Sequence, residues 1–61
     1  MNSVLQEFEE RNKTELRRAI DEIKWWNDLV ARRVVKAEHA AGYIAIENSI
    51  IRTKRAILGL I

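Results

Sequence analysis

Three features of the sequence predict an all-α fold. Hydrophobic residues make up 48% and charged residues 33% of the 61 positions, a balance that suits helices with one apolar and one solvated side rather than a disordered chain. There is no proline, and the only glycines are Gly42 and Gly59, so little in the chain interrupts a helical backbone. From Leu16 onward an apolar side chain recurs at every seventh position, through Ile23, Val30, Ala37, Ile44, Ile51 and Leu58. That is the period of one helix face, not of a strand.

Taken in chain order, Ser3 and Gln6 form the pattern of a capping box and predict a short first helix over about residues 3–11, with Val4, Leu5 and Phe8 on its apolar side. Asn12 and Glu15 repeat the signal, which predicts a break near residues 12–14 and a long helical segment over about 14–61. Four residues after each member of the first apolar row stands a second, weaker row: Ile20, Asn27, Val34, Ala41, Asn48 and Arg55. The two rows together read as the d and a positions of a heptad seam, in which Asn27 and Asn48 are polar residues of the kind that fixes register.

The long segment admits two courses. Gly42 follows Lys36 and His39, which suits a helix C-terminus and a hairpin turning near residues 38–43; a helix from Thr14 to Ile61 would also be about 70 Å long. Against that turn, no good N-cap precedes Tyr43, and the seven-residue row passes from Ala37 to Ile44 in phase. The continuous or gently kinked helix is therefore the favoured expectation, with the hairpin as its alternative.

A chain of this size buries too small a fraction of its surface to be stable on its core alone. It has no cysteine for a disulfide, and the single His39 cannot make a zinc site without thiols, which leaves oligomerisation as the expected supplement. Trp25, Trp26, Val35, Tyr43, Ile46, Ile50, Ile57 and Ile61 widen the apolar stripe beyond two positions per heptad, as helices of an oligomeric bundle require, in a dimer or tetramer. The expected subunit interface comprises Leu16, Ile20, Ile23, Trp26 and Val30, continued by Val34, Ile44, Ile50, Ile51 and Leu58. One single domain spans residues 1–61 on this reading.

The chemistry-bearing residues are sparse. One histidine, no cysteine and no glycine-rich phosphate loop argue against an enzyme, and no cofactor or metal is expected. The stretch Leu16-Arg17-Arg18-Ala19-Ile20-Asp21-Glu22-Ile23 resembles the opening of the first helix of the all-helical chorismate mutases, which are dimers of long helices. The resemblance implies a second arginine on the same helix, then a lysine and an Asp-x-x-Arg-Glu patch. Arg33 stands one residue off the expected spacing, and the remaining positions are not matched.

The expected function is thus that of a small non-enzymatic interaction or regulatory protein. Its alternative rests on charge: residues 29–61 carry six basic against two acidic side chains. Arg33, Lys36, Arg52, Lys54 and Arg55 have no i, i+4 acidic partner of favourable orientation, and could track the phosphates of double-stranded RNA or DNA. No apolar run approaches the roughly 18 residues of a membrane span, and the N-terminal residues lack the pattern of a secretion signal, so a cytoplasmic or nuclear location is expected.

Overall fold

The computed structural model describes residues 3–61. It contains two α-helices, α1 over Val4–Ala31 and α2 over Ala37–Leu60, packed side by side and antiparallel. The chain reverses at residues 32–36, ahead of the 38–43 turn that Gly42 suggests, and Gly42 lies inside α2. The favoured long helix is thereby replaced by a hairpin, and the alternative hairpin keeps its topology but not its turn.

The reversal is a Schellman motif built without glycine. Arg32 closes α1, its N–H donating to the Asp28 carbonyl (2.9 Å); the Arg33 N–H then donates to the Val30 carbonyl (3.0 Å) and the Val34 N–H to the Leu29 carbonyl (2.9 Å). These bonds satisfy the last carbonyls of the helix, which otherwise have no partner. They require the left-handed conformation at the residue after the cap, and Arg33 adopts it with φ of 60°. An arginine there costs about 1–2 kcal/mol that a glycine does not. Lys36 opens α2 without any side-chain cap, its carbonyl accepting from the His39 and Ala40 N–H groups at 3.1 Å.

At the start of α1 the expected capping box is present, with the Gln6 N–H donating to Ser3 Oγ (3.1 Å) and the Ser3 N–H to Gln6 Oε1 (2.9 Å). The expected break at residues 12–14 is absent. Asn12 does not cap a new helix, because its side chain points inward, donating Nδ2–H to the Phe8 carbonyl (2.7 Å), and α1 continues through it. Three acidic residues on α1 precede a basic one by four positions; Glu9 with Lys13 (3.2 Å) and Asp28 with Arg32 (3.3 Å) form ion pairs, and Glu7 with Arg11 does not.

The molecule measures 48 × 19 × 11 Å along its principal axes, a layer only one helix thick. Such a layer has a contact stripe rather than an interior. Among the described residues only Asn12, Ala19, Ala40 and Ile51 are fully buried, and none is a large aromatic. No described helix is long and apolar enough to cross a membrane.

The backbone strain at Arg33 yields a direct test. Arg33→Gly removes the left-handed penalty but loosens the unfolded chain, so the variant is expected to gain about 0.5–1 kcal/mol. Urea denaturation followed by circular dichroism at one fixed protein concentration measures this; a lower midpoint than the parent would show that the turn is held otherwise.

Candidate self-association surface

The surface follows from how α1 and α2 are clasped. Near the turn the clasp is aromatic. The Trp26 ring stacks on Tyr43 across the two helices, with centroids 4.6 Å apart and planes within 7°. Trp25 meets Trp26 edge-on at 4.9 Å and His39 meets Tyr43 at 5.3 Å, arrangements that suit the aromatic quadrupole. His39 is exposed, as a surface position on α2.

At the open end the clasp is polar. Lys54 on α2 reaches α1, where its ammonium donates to Asn12 Oδ1 (3.1 Å) and pairs with the Glu15 carboxylate. Asn12 is 3% exposed and is satisfied on both its amide nitrogen and its oxygen, so no buried polar atom is left without a partner there. The hydrogen bond from Lys54 holds the Glu15 carboxyl below its ordinary value of 4.5, helped by the nearby charges of Lys54, Arg11 and Arg18 against a smaller desolvation effect.

These clasps define the inner seam of α2: Ala40, Ile44, Glu47, Ile51, Lys54 and Leu58, all buried or half-buried. A second row, Tyr43, Ile46, Ile50, Thr53, Ile57 and Leu60, recurs along the same helix at spacings of three and four residues. Tyr43, Ile50 and Ile57 each precede an inner-seam residue by one position, so the second row lies about 100° around the helix from α1. It is partly uncovered: Ile46 is 58% and Leu60 89% exposed, Tyr43 is 45% exposed despite its stack on Trp26, and Ile50 and Ile57 are half-buried. Trp25, 53% exposed, precedes Trp26 in the same way on α1. In an antiparallel pair, equal rotations fall on one side of the layer. The groove in which Arg18 and Glu22 of α1 face Glu47 and Ile50 of α2 runs along that side.

The residues expected at a subunit interface are divided by this geometry. Ile51 is buried and Trp26, Val30, Ile44 and Leu58 are half-buried within one chain. Leu16 and Ile20 line a shallow hollow beside Lys13 and Arg17, with Ile23 half-buried further along α1. Ile50 belongs to the outer row, and Val34 lies in the turn, outside both helices, at 61% exposed. Asn27 and Asn48 are exposed, so within the hairpin the polar residue that sets register is Asn12, which the sequence reading had placed at a helix start. Of the five basic residues singled out, Arg33 and Lys36 flank the turn, Arg52 and Arg55 are exposed on α2, and Lys54 is engaged in the clasp.

Comparison with protein-family models, with curated proteins and with solved structures finds no match. Among the described residues no three His, Asp or Glu side chains group closely enough to hold a metal ion. What the surface offers is apolar area. The chain exposes 4985 Å², whereas a compact protein of its 7.1 kDa exposes about 4,100 Å². The excess, about 900 Å², is close to the ~800 Å² that each partner contributes to a standard protein–protein interface.

The Glu15 clasp makes stability depend on pH in a defined direction. Its carboxyl titrates lower folded than unfolded, so its contribution is complete above the ordinary value of 4.5 and disappears as pH falls through the folded value. Lys54→Met is expected to flatten this part of the curve, read as urea midpoints between neutral and acidic pH. Identical acid profiles for the two proteins would mean that the Lys54–Glu15 pair contributes nothing in solution.

Proposed function

We propose that the chain is a small non-enzymatic interaction module that works by self-association, its hairpins joining into a helical bundle of two or more copies. The observation that carries this reading is the set of large apolar side chains left exposed on a layer one helix thick. Among the described residues, two helices in contact along one stripe bury only Asn12, Ala19, Ala40 and Ile51, while Trp25, Tyr43 and Ile46 stay 53%, 45% and 58% exposed. Burial of such side chains contributes on the order of 1.5–3 kcal/mol each, which is the scale needed to offset the ordering entropy of a short chain. A regulatory or adaptor role would follow from which partner such a bundle presents its outer charges to.

The alternative, a helical dimer that binds double-stranded nucleic acid, would draw on Arg33, Lys36, Arg52 and Arg55, with Lys54 held by Glu15 and Asn12. These four stand in two groups at opposite ends of α2, about 24 Å apart along the axis. The single-chain geometry adds no contact that would favour it.

Size-exclusion chromatography with light scattering, at low and high salt, tests both. Self-association predicts a mass at least twice 7.1 kDa at both salts with a protein-like ultraviolet spectrum. A monomer at tens of micromolar would end this reading. A low-salt complex whose nucleic-acid absorbance is stripped by high salt would transfer the function to phosphate binding.

A further inference from the structure

Resting on the self-association reading, we infer that the outer seam of α2 is the surface that joins the copies, and that its occupant is the same seam of a second copy. Three observations converge on it.

The first is periodicity. Tyr43, Ile46, Ile50, Thr53, Ile57 and Leu60 follow the three-and-four spacing of a coiled-coil seam over almost the whole of α2, and none of the six is charged. The inner seam of the same helix, which has a partner, contains Glu47 and Lys54. The outer seam, with Ile46, Thr53 and Leu60 exposed and Ile50 and Ile57 half-buried, is therefore the more apolar of the two. A solvated helix face has the opposite character.

The second is direction. The two seams lie about 100° apart, close to the right angle at which a helix of a four-helix bundle meets its two neighbours. Gly42, Ser49 and Ala56 recur at seven-residue spacing on the far flank of the outer seam, and a Cβ added at Gly42 would meet nothing within 4 Å. Arg52, the residue before Thr53, stands exposed on the same flank, so an approaching helix meets short side chains there except at Arg52.

The third concerns the occupant. An uncharged apolar seam is complementary to itself, and a two-fold axis places the same patch on both partners. The whole chain exposes about 900 Å² more than a compact protein of its mass, the scale of one side of a standard interface, so a pairing with one further copy is of adequate size. On the α1 side the rim carries Arg18 and Glu22, opposite charges that a two-fold axis can bring together. A strongly acidic or basic partner finds no matching charge in this seam.

The chain contains no cysteine, so a single introduced thiol reports proximity cleanly. Thr53→Cys places one in the middle of the outer seam, and Asp21→Cys places one on an exposed position of α1. With a short bismaleimide at micromolar protein, the Thr53→Cys chain is expected to form cross-linked dimer on the order of tenfold or more faster than the Asp21→Cys chain, because pairing raises the local thiol concentration towards millimolar. In parallel, Ile46→Lys with Ile50→Lys is expected to reduce the light-scattering mass to 7.1 kDa. Should that variant fail to fold, the cross-linking ratio in the otherwise native chain still decides. If the parent is an oligomer but Asp21→Cys cross-links as fast as Thr53→Cys, the seam assignment is wrong while self-association stands. If the parent is a monomer, both fail and the seam belongs to a different molecule.

Discussion

A helix packed in a layer one helix thick touches its neighbour along one stripe, and everything in this hairpin answers to that constraint. The stripe between α1 and α2 is narrow enough that, among the described residues, it fully covers only Ala19, Ala40, Ile51 and Asn12. Larger side chains are pushed to the edges of the stripe, where half of each remains wet. The same narrowness tolerates Asn12, Glu15 and Lys54 at seam positions, since each keeps one side towards solvent or finds its partner across the seam.

The two clasps divide the work of fixing the pairing. Stacked rings adjacent to the turn hold the helices where the loop already keeps them close, which adds little specificity but covers apolar area. The Lys54–Asn12–Glu15 group lies at the open end, some forty residues apart in sequence, and is directional. Sliding α2 by one turn would strand the buried amide of Asn12 without its lysine. Register in this chain is set by a hydrogen-bonded polar group, as in coiled coils with a buried asparagine, although the asparagine is not one that heptad counting selects.

Helical class, the Ser3–Gln6 cap and an apolar stripe wider than a single seam are local or compositional properties, and the residues state them directly. The reversal was not legible because the residue in the left-handed position is Arg33, whereas the recognisable signal for a Schellman turn is glycine, and the glycine in the sequence sits mid-helix at Gly42. The seven-residue row gave no warning either. Val30 and Ala37 stand at either end of a five-residue turn whose length happens to preserve the count, so the row crosses the reversal in phase. Asn12 misled for a related reason: its type fits an N-cap and a buried amide equally, and only the arrival of Lys54 from the other helix decides between them.

The two helices are not equivalent in charge. Both leave large apolar side chains exposed, Val4, Leu5, Phe8 and Trp25 on α1 and Tyr43, Ile46 and Leu60 on α2, but α1 carries seven acidic and five basic residues whereas α2 carries two acidic and three basic ones and has apolar side chains on two faces. A helix that is apolar on two faces is stable only where it has two neighbours. On the proposed pairing α2 is therefore the central element and α1 the peripheral one, with the charged surface of α1 and the exposed Arg52 and Arg55 turned outward. In that arrangement the outer seam explains why α2 can dispense with a side-chain cap at Lys36: a helix held along two stripes draws its stability from packing, and the half-turn at its start contributes little.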